Sequence, residues 1–214
     1  MAEHFELAQG DRAAHIALAL KSLKDGYIII APLESSYVFL VDAFSHDGVR
    51  AMHALRGDPL FVAAQVLVAS YSTAEGIIRD IGTEAKDLMK KFWPGNLSMN
   101  MRPQVGLNWD LGDGGELDQV SVRIPTMGFV YELLQESGPL AVASAAFAAR
   151  PAISDPALIS VLDADVAAIF SAGVLAAGAL STVIEYNESN FAILRVGAIS
   201  TDEITAIAPS ISRY

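Results

Sequence analysis

From Arg102 onward the basic side chains of this chain are isolated arginines: Arg102, Arg123, Arg150, Arg195 and Arg213. All five lysines fall earlier, in two small clusters at 21–24 and 86–91. An arginine standing alone in an acidic, apolar chain is a candidate for gripping an anion, because its planar fork matches a carboxylate or a phosphate. The plain alternative for any one of them is a surface salt bridge. Hydroxyls are the second candidate group. "AVASAAFAARP" (141–151) offers one, Ser144, among alanines, with Arg150 close behind. Histidine is less promising. The four (His4, His15, His46, His53) all lie in the first quarter, and only His46 and His53 have a spacing that could share a helix face. Two such residues do not make a metal site without a third ligand.

Familiar catalytic signatures are missing. There is no G-x-x-x-x-G-K-[ST] loop, no G-x-G-x-x-G, no G-x-S-x-G elbow and no H-E-x-x-H. The acids of "GLNWDLGDGGELD" (106–118) lack EF-hand spacing and read as an exposed turn. With no cysteine, a disulfide framework, a thiolate zinc site and a cysteine nucleophile are excluded, and a cytoplasmic location is expected. The polar, acidic start lacks the pattern of a signal peptide. A net charge of −11 disfavours generic attraction to nucleic acid.

The elements that must hold these groups follow from periodicity and punctuation. "DRAAHIALALKSLKD" (11–25) predicts a helix capped by Asp11 and stopped at Gly26. "YIIIAP" and "AAQVLVAS" read as buried strands, and "SSYVFLVDAF" as an extended or hairpin segment. "SHDGVRAMHALRG" predicts a helix ending at Gly57, and the stretch before Pro94-Gly95 one or two more. "NLSMNMRP" and "QVSVRIP" are strands, "MGFVYELLQESG" a helix, and "PLAVAS" a strand. "DPALISVLDA" predicts a helix with Asp155 near its start. Three strands or turns and a capped closing helix, "STDEITAIAP", complete the series. The uncharged run Val166–Ile184 has the length of a membrane span. Its small residues, turn-like "SAG" and "AAG" and acidic flanks argue against one. Strands alternating with helices predict an α/β fold with a mixed sheet in one domain. The expected boundaries are an extension over 1–11, the domain over 12–205 and a tail over 206–214.

In this order, "APLESSYVFLVDAF", "ALRGDP", "FWPGNLSMNM", "VSVRIP", "GPLAVASAA", "STVIEY" and "ILRVGAI" resemble the YrdC-like family, from about residue 12 to 200. Each piece is short, and the order carries the resemblance. It implies a single-domain twisted mixed sheet with flanking helices and a large concave cavity. It also implies synthesis of threonylcarbamoyl-AMP from L-threonine, bicarbonate and ATP with release of pyrophosphate, for modification of a tRNA adenosine. Magnesium is implied with the ATP, and double-stranded RNA as a possible partner. Chemistry of this kind needs cations, hydroxyls and backbone N–H groups around the reacting phosphate, since positioning and charge stabilisation supply most of the catalysis.

Carried onto this chain, the family's P-T-E-T-V-Y-G-L becomes Pro32 to Phe39, keeping Ser35 and Tyr37 for substrate but placing Val38 at a glycine. K-G-R-P becomes Arg56-Gly57-Asp58-Pro59, keeping one cation and reversing the other. P-G-P-L-T keeps its hydroxyl as Ser98. The intact V-R-I-P gives Arg123, S-T-V gives Ser181 and Thr182, and the late R-x-G gives Arg195 and Gly197. S-A-N-x-S-G keeps Ser144 but loses its amide at Ala146 and its glycine at Ala149. The resemblance thus implies catalytic roles for Arg56, Ser144 and Ser181. It implies substrate contacts for Ser35, Tyr37, Arg56 and Thr182, and nucleotide contacts for Ser98, Arg123, Ser144 and Arg195. No metal ligand is expected. A carboxylate at Asp58, if it faced an anionic ligand, would cost about a few kcal/mol of affinity. Two readings stand: an active or altered synthase, and an inactive paralogue of the same fold that binds a nucleotide or RNA.

Overall fold

The computed structural model describes residues 2–115, 118–161, 165–187 and 190–213. Its strands are β1 (Glu3–Glu6), β2 (Ile29–Leu33), β3 (Ser36–Asp42), β4 (Gln65–Leu67), β5 (Leu97–Met101), β6 (Val120–Arg123), β7 (Leu140–Ser144), β8 (Ala168–Ser171), β9 (Thr182–Asn187), β10 (Asn190–Arg195) and β11 (Ser212–Arg213). They join in one mixed sheet, in the order β1-β8-β2-β3-β7-β4-β6-β5-β9-β10-β11. The helices are α1 (Arg12–Lys24), α2 (His46–Arg56), α3 (Tyr71–Ile77), α4 (Thr83–Phe92), α5 (Phe129–Ser137) and α6 (Thr201–Thr205).

Local chemistry explains most boundaries. Asp11 accepts from the Ala13 amide and starts α1. Gly57 closes α2 in the left-handed conformation that glycine adopts without penalty. Ser200 and Glu203 form a reciprocal capping box on α6.

The sheet buries both faces unequally. Along β3, Tyr37, Phe39 and Val41 enter the larger core with α2, α3 and α4, while Val38 and Leu40 point the other way. Among the described residues, the helices that pack on that second face are α1 and α5, over the β8–β2–β3–β7 half. The face beyond them, over the β4–β6–β5–β9 half, carries polar side chains instead of an apolar stripe. Gln65, Ser98, Ser121 and Arg123 alternate with core residues there, as the two-residue period of a strand requires. A bare, polar half-face beside two helices is where the fold can hold a ligand.

Three segments stand differently from the expectation. Glu3–Glu6, expected in an N-terminal extension, pairs parallel with β8. Ser212–Arg213, expected in a tail, pairs with β10. "DPALISVLDA" contributes only a single 3-10 turn, Pro156–Leu158, capped by Asp155; residues 162–164 lie outside the described set. As the turn-like "SAG" and "AAG" predicted, the run Val166–Ile184 divides into β8, an irregular segment and the start of β9. Among the described residues no helix is long and apolar enough to cross a membrane.

Candidate active site

The polar half-face forms the floor of a cavity of about 190 Å³. Around it stand Glu34, Ser35 and Ser36 from the β2–β3 turn, Gln65, Asn96, Arg123, Ser144, Ser181 and Arg195. The β2–β3 turn delivers its residues by an unusual backbone. Glu34 holds φ +51°, a left-handed conformation that strains a side chain other than glycine. The turn is kept by the bonds Glu34 makes. Its Oε2 accepts from Arg123 Nη2 at 2.5 Å, and its Oε1 accepts from the Thr126 amide and hydroxyl, each at 3.0 Å.

Arg123 is the deepest charge of the site, 4% exposed. Nη1 donates to Asn96 Oδ1 at 2.9 Å, and Nε has no partner although it is buried. A buried donor without an acceptor costs free energy, which an incoming acceptor would recover. Arg195 stands near enough to feel the same charge. Its pKa is lowered, first by partial burial and second by Arg123, yet at neutral pH it remains a cation. Two guanidinium groups and one carboxylate among the lining residues leave an excess of one positive charge. That excess, inside a chain of net charge −11, suits an anion.

Hydroxyls link the two sides of the floor. Gln65 Nε2 donates to Ser98 Oγ (2.8 Å) and Ser121 Oγ (3.1 Å), and Ser98 Oγ donates to Ser181 Oγ (3.0 Å). Arg195 Nη2 donates to Ser181 Oγ at 3.0 Å, and its Nε and Nη2 bond the Ser181 carbonyl. Ser144 Oγ is buried without a partner at the end of β7.

The order of segments agrees with the likeness of this chain to known proteins. The Sua5/YciO/YrdC family pattern, described as telomere recombination, matches residues 21–197. The chain belongs to the Sua5/YciO/YrdC family. A Mycobacterium leprae relative, which carries the provisional name threonylcarbamoyl-AMP synthase, is 35% identical over 97% of this chain and 94% of its own. The Bacillus subtilis threonylcarbamoyl-AMP synthase is 28% identical over 94% of this chain, which spans 58% of that protein. A variant of Pyrococcus abyssi Sua5 superposes with a TM-score of 0.90 at 24% identity, over 100% of this chain and 62% of that one. Escherichia coli YciO gives 0.82 at 19%, over 95% and 100%. The structural likenesses speak for the fold.

Family motifs do not all deliver their side chains to the cavity. Ser35, Arg123, Ser144, Ser181 and Arg195 line it together. Ser98 lies wholly buried just beneath, reaching it through Ser181. Tyr37, Thr182 and Arg56 do not line it. Tyr37 is buried in the larger core, donating to the Gly173 carbonyl at 2.7 Å and accepting from the Ala172 amide at 2.9 Å. Thr182 opens β9 and is wholly buried. Its hydroxyl donates to the Ile199 carbonyl and accepts from the Gly197 and Ile199 amides, fixing the turn after Arg195.

Arg56 is held behind the 144–148 loop. Nη1 donates to the carbonyls of Ser144 and Ala146, the latter at 2.8 Å, and Nε donates to Asp58 Oδ2 at 2.8 Å. His53 Nδ1 meets the same oxygen at 2.8 Å. Asp58 therefore does not face an anionic ligand as expected; it closes a buried charge cluster that supports the loop. Ala146 and Arg150 line a separate cavity of about 170 Å³ with Phe39 and Phe147, so Arg150 does not replace a lost amide in the main site. Val38 does line the main cavity.

Glu34, Ser36, Gln65 and Asn96 also line the cavity, and the sequence alone assigned them no role. Gln65 had a signal, being the one polar residue in the buried run "AAQVLVA". Glu34 and Asn96 looked like ordinary turn residues.

Proposed function

We propose that this chain is a threonylcarbamoyl-AMP synthase, a nucleotidyltransferase acting on L-threonine, bicarbonate and ATP in the cytoplasm, with its product destined for tRNA modification. The observation that carries the reading is one cavity lined by Arg123, Arg195, Ser35, Ser144 and Ser181 on the sheet face left bare by α1 and α5. Relatives named threonylcarbamoyl-AMP synthase support it, as does a Pyrococcus abyssi Sua5 structure that holds L-threonine (TM-score 0.87, 24% identity).

The chemistry fits such a cavity. Bicarbonate gives up hydroxide to become carbon dioxide, the threonine amine adds to its carbon, and the amine proton joins the hydroxide as water, leaving a carbamate. A carbamate oxygen then attacks the ATP α-phosphorus, and the bond to pyrophosphate breaks. No covalent bond to the protein is needed, so holding the partners and stabilising negative charge is the protein's work. Arg123 and Arg195 supply the charge, and Ser144 and Ser181 supply hydroxyls.

Magnesium enters this reading with the nucleotide. Among the described residues no group of three or more His, Asp or Glu could hold a metal ion. The carboxylate that lines the cavity, Glu34, has both oxygens engaged. These residues do not fit a protein-held metal, and no step is assigned to one.

One observation favours a second reading, a paralogue that binds a nucleotide without turning it over. Arg56, the cation of the "ALRGDP" motif, is bound to Asp58 and two carbonyls and does not line the cavity. A single assay separates the readings: the protein with ATP, threonine, bicarbonate and magnesium, monitored for pyrophosphate and threonylcarbamoyl-AMP. Product is expected. ATP binding without product at high protein concentration would leave the second reading, and absence of ATP binding would overturn both.

A further inference from the structure

Gln65 begins β4 and lines the cavity floor. Its amide nitrogen can only donate, so Ser98 and Ser121 accept from it. Ser98, with no solvent access, passes its own proton to Ser181 Oγ. Ser181 Oγ accepts a second hydrogen bond from Arg195 Nη2. A serine hydroxyl has two acceptor sites and one proton. With both acceptor sites of Ser181 filled, its proton must leave in a third direction, and Ser181 stands on the cavity wall.

We propose that Gln65 is a positioning residue: by donating to Ser98 it fixes the direction of the Ser98–Ser181 hydroxyl chain and makes Ser181 a donor aimed into the cavity. An anionic oxygen in front of Arg195 then meets a cationic donor and a neutral donor from one corner. The arrangement also removes Ser181 as a proton acceptor. Without the Gln65 amide, Ser98 is free to turn and accept from Ser181, and the donor is lost for part of the time. The anion rests on the proposed nucleotide function, in which it is a phosphate oxygen.

The test is a double-mutant cycle of Gln65→Met and Ser181→Ala, titrated with AMP and, in parallel, with inorganic phosphate. Gln65→Met weakens AMP binding about three- to tenfold when Ser181 is present, the size of one neutral hydrogen bond. In the Ser181→Ala background it changes affinity less than about twofold. Thermal denaturation of all four proteins supplies the control, since a purely structural Gln65 lowers Tm and shifts affinity alike in both backgrounds. Equal shifts would overturn the proposal, as would an unchanged affinity with Ser181 in place. Gln65→Glu is the second variant, because an ionised carboxylate accepts from Ser98 and reverses the chain. Its affinity falls at least as far as that of Gln65→Met, and an unaltered value would again overturn the role. If the unsubstituted protein binds phosphate but not AMP, the nucleotide reading fails and the phosphate cycle decides the role of Gln65. If it binds neither, both fall.

Discussion

Replacing Glu34 by glutamine should move stability and anion affinity in opposite directions. The carboxylate is the counter-charge of Arg123, with side chains 17% and 5% exposed. Breaking a pair this buried by removing one partner costs about 3–5 kcal/mol, because the remaining charge is left uncompensated. Arg123 is poorly placed to absorb the loss, since its Nε already lacks an acceptor and only Asn96 stays bonded to it. Glutamine keeps one carbonyl for Thr126 or Arg123 but not both, so the expected loss is about 2–4 kcal/mol. In a chain of this size each kcal/mol lowers Tm by roughly 2–4 °C. A fall of about 5–15 °C follows for Glu34→Gln in differential scanning calorimetry. Isothermal titration of the same variant with AMP should show tighter binding. The lining charge rises from one excess positive charge to two, worth about 1 kcal/mol or roughly fivefold in a partly screened site. An unchanged Tm would refute the buried pair. A tenfold weakening of AMP in a folded variant would show that Glu34 contacts the ligand and does not hold Arg123.

Arg195→Ala should weaken AMP binding about ten- to a hundredfold in the same titration, the range of a charge-assisted hydrogen bond, with little change in Tm because the residue is exposed. Asp58→Asn should destabilise the protein by about 3 kcal/mol in urea unfolding, since the amide keeps an oxygen for Arg56 and His53 but removes the negative charge that balances the largely buried Arg56. Its AMP affinity should stay within about threefold, Arg56 remaining on the Ser144 and Ala146 carbonyls. Ala149 sits at φ +59°, so Ala149→Gly should stabilise by about 1 kcal/mol, read as a rise in Tm. The Asp110 carboxyl is held below its ordinary value, chiefly by the Gly112 amide, then by the Gly114 amide and Arg50, against the upward push of burial. Its contribution to stability is therefore present above an unfolded value near pH 4 and lost as pH falls through the lower folded value. Asp110→Asn should be less stable than the parent at pH 6, with the difference shrinking below pH 4 in urea melts.

Local rules carried far along this sequence. Asp11, Gly57 and the Ser200–Glu203 box mark helix ends by bonds to their immediate neighbours, and those ends stand where the residues put them. The strand period held a further message. Once Val38 of β3 faces the cavity, its neighbour Tyr37 cannot. Motif membership assigned Ser181, Thr182 and Tyr37 to ligand contact, yet Thr182 and Tyr37 are wholly buried away from the cavity. What lay beyond local rules was the partner of each charge. Arg56 reaches carbonyls 88 and 90 positions away, and Glu34 reaches Arg123 across 89. No spacing in the chain announces either contact, because both depend on which strands the sheet sets side by side.

The reversed charge at Asp58 looks different once those partners are known. A carboxylate in the cavity would repel every anionic ligand, and the motif would be damaged at its centre. A carboxylate whose side chain is 7% exposed, bonded to Arg56 and His53, is largely neutralised where it stands. What the substitution alters is the neighbouring cation. Arg56 spends its fork on Asp58 and on the loop that carries Ser144 and Ala146, so the positive charge of the site falls to Arg123 and Arg195 alone among the described lining residues. The same loop ends in Ala149, in a left-handed conformation better suited to glycine. A fastened loop can hold Ser144 steady while contributing no charge. Among the described lining residues the site therefore offers two cations to an anionic ligand, and Asp58, paired with Arg56 and His53, adds none of the repulsion first expected of it.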